Sequence, residues 1–379
     1  MTATDHSKEQ KQKSPRNRQI LRIALEVVFM VAILAALFWY VGVGSIYNAL
    51  LHIRVEYLLL AFLMYFMINL FFTVRLRRVL SKNGVKTSFG KTLLAQYGGM
   101  LTSDVTPGRS GYILTPVYLR DQNVPTSKSL SSVLGIQTFE FLIKVVGGIG
   151  AIIYLVKVVP AHIWNQLFPT QILGVNVGLL IAVFGVALMM TGAIVLAAFT
   201  WSKRAISIFD RIANSRFLKR FTGGLMEKLE EYKESAGSTS KAIPEIVILT
   251  VICWIIKGFE WYFLGYALGI TTIPWIAYFL IHPLVTALAF VPITPAGIGV
   301  QEFGIIGIFG LLAAALPGVP IAAAQIAAFA LLARGLLIFE DLAGVPQIVR
   351  STSLIFDRKK PDEPLRPEPG GPTHQPTLD

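Results

Sequence analysis

Apolar positions run in long unbroken stretches, and the polar residues gather between them. From Ile20 to Val43 only Arg22 and Glu26, near the start, interrupt the run. About 24 residues make roughly 36 Å of helix, enough to cross a hydrocarbon core of about 30 Å with some tilt. A signal peptide would need a shorter apolar core and a small-residue cleavage site close behind, so this stretch reads as an uncleaved first span. Further full-length candidates are Tyr57–Val74, Leu130–Val156, Ile172–Trp201, Glu245–Gly269 and Ile321–Ala343.

Two other apolar regions are interrupted. Residues 89–119 carry Gly98, Gly99, Asp104, Pro107, Gly108, Gly111 and Pro116, and residues 273–316 carry Pro283, Pro292, Pro295, Gly297 and Gly299. Proline and glycine at this density free backbone N–H and C=O groups that lipid cannot satisfy. Non-helical backbone at membrane depth survives only where protein or a wet cavity surrounds it. Both regions are therefore expected to be re-entrant hairpins or broken helices, with ordinary kinked spans as the alternative. The expected fold class is an all-α polytopic membrane protein with about six full spans and two interrupted hairpins.

Composition supports this. Hydrophobic residues make up 54% of the 379-residue chain and charged residues 15%, too few to cover a water-soluble globule, where roughly 25% is usual. The net charge of +12 would fit nucleic acid, but the Lys and Arg residues flank apolar runs, where anchoring on the cytoplasmic side is the commoner cause. Nucleic acid is not an expected partner. The single cysteine, Cys253, excludes an internal disulfide and a cysteine-based metal cluster. The five histidines are scattered without metal-ligand spacing, there is no phosphate-binding P-loop, and no catalytic constellation stands out. No metal, cofactor or enzymatic activity is expected. The run Gly147-Gly148-Ile149-Gly150 lies inside a span and predicts close helix packing.

Lys/Arg bias then gives the layout. With residues 1–19 inside, the second span returns to Arg75, Arg77, Arg78, Lys82, Lys86 and Lys91, and the fourth delivers the basic 203–241 segment to the same side. Every basic cluster lands inside, which places the chain in the cell membrane with both termini cytoplasmic. The membrane-embedded unit is expected over 20–345. Segment 203–241 is expected to be an amphipathic surface helix pair or a solvated connector, and 346–379 a disordered tail.

Each interruption carries Pro-x-x-x-Gly, as Pro107–Gly111 and Pro295–Gly299, and the two are entered from opposite sides. Paired breaks of this kind point to an inverted repeat with a substrate site near the midplane. Ionisable residues inside the membrane are costly and face a cavity or a partner. The candidates are Arg109, Glu302, Arg334, Asp104, Glu140, Lys144, Lys257 and Glu260. Glu140/Lys144 and Lys257/Glu260 share a helix face, so mutual neutralisation competes with ligand binding for them. Arg109 and Glu302, one beside each break, are expected to close around one headgroup. Glu340 and Asp341 sit near the cytoplasmic end and are expected to be solvated. His282 is expected to line a pore or pack.

The string Pro292-Ile293-Thr294-Pro295-Ala296-Gly297-Ile298-Gly299-Val300-Gln301-Glu302 resembles the P-x-T-P-x-G-x-G-x-x-E signature of the lysylphosphatidylglycerol synthase transmembrane family. That flippase-like family also forms the flippase half of the multiple peptide resistance factor. Pro107-Gly108-Arg109-Ser110-Gly111 resembles the family's first break, and Arg334 its last-span arginine. The resemblance covers about residues 20–345. It implies movement of a polar or glycosylated lipid headgroup between leaflets, with Arg109 and Arg334 binding phosphate and Asp104, Glu140, Glu302 and Lys144 tuning it. Membrane lipids are the implied ligands, and a second copy of the chain or a lipid-modifying enzyme the protein partners. No soluble aminoacyl-transferring half follows in this sequence, so aminoacylation is not expected of it. A secondary transporter or channel for a small solute, and a transferase or accessory subunit for polyprenyl-phosphate lipids, are the alternatives.

The layout predicts that cysteines placed at Ser215 or Ser238 in a Cys253→Ser background escape an impermeant external thiol reagent in intact cells and react once the cells are opened. External labelling at either site would invert the layout.

Overall fold

The computed structural model describes residues 41–106, 108–202, 225–290, 294 and 296–357, with residues 28, 30–33, 35–36 and 38–39 before them. The expectations for 1–19, for 203–224 and for the tail from 358, and the positions of Pro107, Pro292 and Pro295, lie outside these residues.

The described residues of the first apolar run between 28 and 41 are helical. A short helix α1 (Val43–Leu51) then leads into α2 (Val55–Lys82). The first interrupted region is α3 (Phe89–Ser103), a break, a 3-10 turn over Ser110–Leu114 and the single turn α4 (Thr115–Tyr118). After it come α5 (Thr126–Val158), the short α6 (Ala161–Leu167), a two-stranded hairpin β1 (Gln171–Ile172) and β2 (Val175–Asn176), and α7 (Val177–Trp201). The second part contains α8 (Leu225–Ser240), α9 (Ile243–Ala267), α10 (Trp275–Ala289), α11 (Val300–Ala315), α12 (Ala323–Asp341) and α13 (Val345–Asp357).

Among the described residues four helices, α2, α5, α7 and α9, are long and apolar enough to cross a membrane. Their outward faces are apolar too: Leu59, Leu63 and Phe66 on α2, Val146, Ile149 and Ile153 on α5, and Phe184 and Ile194 on α7 are all exposed. Stripes this continuous would be untenable against water and fit acyl chains. The protein is a multi-pass, all-α membrane protein. In contrast, α3, α10 and α11 have 15, 15 and 16 residues, or roughly 22–24 Å each, shorter than the hydrocarbon core. Both interrupted regions break where proline and glycine concentrate.

The packing explains the glycines inside α5. A Cβ on Gly147 would sit 2.7 Å from Pro283 of α10, and one on Gly148 would sit 2.8 Å from Val186 of α7. Two adjacent glycines thus let α5 approach two helices at once. Trp261, Tyr278, Phe309 and Phe329 join α9, α10, α11 and α12 in one edge-to-face and stacked aromatic cluster.

Three expectations need correction. The segment 172–176 is not the start of a span. Leu173 and Gly174 take left-handed φ of 53° and 77°, as a two-residue hairpin loop requires, and Asn176 begins α7 by accepting a hydrogen bond from the Gly178 N–H at 3.0 Å. Residues 346–357 are not tail but part of α13; Gln347 is buried and donates to the Tyr118 carbonyl at 2.6 Å. The later part of the connector is not a free surface helix. On α8, Tyr232, Ala236 and Thr239 are buried, Trp201 donates to the Ala236 carbonyl at 3.2 Å, and Asn83, just past the end of α2, donates to the Thr239 hydroxyl at 3.0 Å.

Gly147→Leu is expected to cost about 1–3 kcal/mol by overpacking against Pro283 and to lower the unfolding midpoint in detergent. Gly310→Ala, where an added Cβ meets nothing within 4 Å, should leave the midpoint at or above the wild-type value.

Candidate functional site

The described residues of the two breaks follow a matching backbone course. In the first, the Thr106 carbonyl accepts from the Arg109 N–H at 3.1 Å, and in the second the Thr294 carbonyl accepts from the Gly297 N–H at 3.2 Å. Proline occupies the position after each threonine. The next two residues take left-handed φ in both: 59° and 53° at Gly108 and Arg109, 51° and 70° at Ala296 and Gly297. Left-handed backbone at Arg109 and Ala296 costs about 1 kcal/mol or more each, so the surroundings must hold it. The Ser103 hydroxyl donates to the Arg109 carbonyl at 2.9 Å, and the Thr106 hydroxyl accepts from the Gly111 N–H at 2.7 Å. Gly111 lies so close to the Thr102 backbone, and Gly297 so close to the Ala289 backbone, that no Cβ fits at either. The two turns also touch: the Ala296 N–H donates to the Thr106 carbonyl at 3.0 Å.

A cavity of about 90 Å³ opens beside these turns, among α2, α3, α5, α9, α10, α11 and α12, with room for several waters. Ile68, Phe72, Met100, Trp254 and Trp261 give it apolar walls, and Arg109, Glu140, Lys144, Lys257, His282, Thr286 and Gln301 supply polar groups. A smaller space of about 40 Å³ shares Arg109, Glu140 and Lys144 and adds Arg75, Gln96 and Tyr112.

The charges are paired with care. Glu140 of α5 accepts from Lys144, one turn on, at 2.8 Å, and from Arg75 of α2 at 3.0 Å. Arg75 is about 1% exposed and also donates to Thr250 of α9 at 2.7 Å, while its guanidinium lies over Phe72. Two cations therefore share one carboxylate, which leaves one positive charge in excess. Lys257 pairs with Glu260 at 2.6 Å and sits over the Tyr65 ring. Arg109 pairs with Asp104 at 2.8 Å.

Arg334 and Glu302 do different work. Arg334 donates to Glu302 at 2.9 Å, to Gln301 at 2.8 Å and to the Ala296 carbonyl at 3.5 Å. Glu302 also caps its own helix by accepting from the Gly299 N–H at 2.6 Å. This set bolts the second turn and the start of α11 to α12. Gln301, rather than Glu302 or Arg334, lines the cavity.

Arg109, Glu140, Lys144 and Lys257 thus come together on one cavity, with Asp104 and Glu260 as partners of two of them. Arg109 and Glu302, expected to close around one headgroup, do not pair with each other: Arg109 holds Asp104 and Glu302 holds Arg334. Arg75 is not part of the flanking basic cluster but an intramembrane cation. Its distance from the helix end is the one sequence signal that could have told it apart, since Lys82 and the exposed turn follow about two helical turns later. Asp341 is not solvated either: it is fully buried and accepts from the Tyr65 hydroxyl at 2.9 Å. His282 lines the cavity, its ring edge-on to Trp261 and its Nε2 3.2 Å from the Thr286 hydroxyl.

The family model described as the lysylphosphatidylglycerol synthase TM region matches residues 23–340. The chain belongs to this family. The match spans both breaks, the cavity and all the charged pairs above. No curated protein matches the chain.

Glu302→Gln and Arg334→Met are each expected to destabilise the protein by about 3–5 kcal/mol, because each leaves a buried charge without its partner. The double variant should cost clearly less than the sum of the two, measured by thermal unfolding in detergent. Additive losses would remove the clamp.

Proposed function

We propose that this member of the lysylphosphatidylglycerol synthase transmembrane-region family moves a lipid with an anionic, phosphate-bearing head between the leaflets of the cell membrane, with both termini on the cytoplasmic side. One observation carries the reading: the cavity and the smaller space beside it are lined by Lys144 and Arg75, which share the single carboxylate of Glu140, and by Arg109, and Lys257 adds a further cation to the cavity. An excess of cation in a low-dielectric site attracts anions strongly. Lys144 and Arg109 keep part of their surface open, 17% and 13%, whereas Arg75 is enclosed. The first two are therefore the groups that would meet phosphate, and Arg75 sets the local charge from behind.

The rest of the site supports a lipid rather than a free anion. Apolar walls next to the cations suit acyl chains beside a head. The matched Thr-Pro turns, built alike and touching, support reading the two halves as an inverted repeat around the site. In that reading the chain acts as a carrier and not as an enzyme. Rocking of the halves about the turn contact would expose the cavity to each leaflet alternately.

Arg109→Gln and Lys144→Gln should each slow translocation of fluorescent phosphatidylglycerol in reconstituted vesicles. Loss of one charge-assisted hydrogen bond is worth about 1.5–3 kcal/mol, or roughly 10–100-fold in rate. Lys241→Ala, at an exposed connector position, should match the wild type. Wild-type rates in both cavity variants, normalised to folded protein, would exclude these residues from headgroup binding. Movement of a soluble anion without lipid would favour the small-solute transporter.

A further inference from the structure

A second polar cluster lies behind the cavity wall, and Arg109 belongs to both. Arg109 faces the cavity while its guanidinium holds Asp104 at 2.8 Å. Asp104, at the end of α3, and Asp341, at the end of α12, are only about 1% and 0% exposed, and the two helices pack against each other so that each carboxyl group feels the other's charge. Tyr65 of α2 donates to one Asp341 oxygen. The other Asp341 oxygen and the second Asp104 oxygen are buried with no donor. Two carboxylates held together out of water cannot both stay ionised without a cation for each, and Arg109 is the only cation hydrogen-bonded to either among the described residues. The remaining charged and titratable groups around Asp341 do not supply a second. Lys257 of α9 is taken by Glu260, Tyr97 of α3 is neutral, and Glu340 on α12 adds two further buried oxygens without donors.

We propose that Asp104 and Asp341 form a proton-binding site coupled through Arg109 to the headgroup site, so that one proton and one anionic head bind together. This rests on the lipid-translocation reading above. Asp341, with no cation of its own, holds a proton at rest, so a phosphate that draws Arg109 into the cavity removes the cation from Asp104 and a newly taken-up proton on Asp104 takes its place. With the pair protonated, Arg109 is released for phosphate. Linkage makes the effect reciprocal: the proton strengthens anion binding, and the anion strengthens proton binding. Because the two are taken up together, a proton gradient would drive the lipid in the same direction as the proton.

The test uses full-length protein in mild detergent and dihexanoyl phosphatidylglycerol as probe. Titration calorimetry in buffers of different ionisation enthalpy should report uptake of one proton per probe bound, with affinity rising up to about tenfold for each pH unit of acidification. Asp104→Asn, a neutral mimic of protonated Asp104, should still bind the probe, with no proton uptake and a flat pH profile. Glu234→Gln, at an exposed position on α8, should behave as wild type. Probe binding by the wild type without proton uptake, or full uptake in Asp104→Asn, would overturn the coupling. Should Asp104→Asn fail to fold, the wild-type buffer dependence decides alone. Should the wild type bind no probe, the lipid reading fails, and infrared spectroscopy then judges the proton site by itself. A carboxylic-acid carbonyl band that titrates in the wild type and is lost in Asp104→Asn supports the site, and its absence from the wild type refutes it.

Discussion

Inside a bilayer no water is available to a broken helix, and this constraint orders the whole protein. Each break frees N–H and C=O groups that must find partners in the protein itself. Here they find one another. The Thr106 carbonyl takes the N–H of Arg109 in its own turn and the N–H of Ala296 in the other. Threonine and serine hydroxyls then serve the Arg109 carbonyl and the Gly111 N–H beside the first turn, and Arg334 and Glu302 serve the Ala296 carbonyl and the Gly299 N–H beside the second. Because the turns satisfy each other, both must stop at the same place, and the cavity forms where the short helices end against the long ones.

Charge placement follows the same economy. A buried ion is stable only with a partner and further hydrogen bonds, and among the described residues Arg75, Arg109, Lys257 and Arg334 each hold a carboxylate. The Arg75, Glu140 and Lys144 set carries a surplus positive charge, and the Asp104 and Asp341 set carries surplus acceptors. Arg109 stands between them.

Much of this was legible in the chain. Uninterrupted apolar runs determine where long helices form, because a polar backbone in lipid has no alternative to internal hydrogen bonding. Proline and glycine determine where they must break, and the Pro-x-x-x-Gly spacing marks both breaks before any contact is known. The glycine run of α5 announces close packing, although Pro283 and Val186 as its neighbours could not be named. Ionisable residues inside the runs nominate the site, since their burial is too costly to be incidental.

Partner choice was decided only by the tertiary structure. Arg109 and Glu302 are equivalent in the pattern, one beside each break, yet Arg109 turns to Asp104 and Glu302 to Arg334. Asp341 looks terminal in sequence and is enclosed, and Arg75 looks like an anchor and is a core cation. Each of these depends on which helix faces which, information carried by contacts between residues far apart in the chain, such as Tyr65 with Asp341 and Arg75 with Glu140. Periodicity and composition describe one segment at a time. An ion pair belongs to two segments, and only the packed bundle fixes which two.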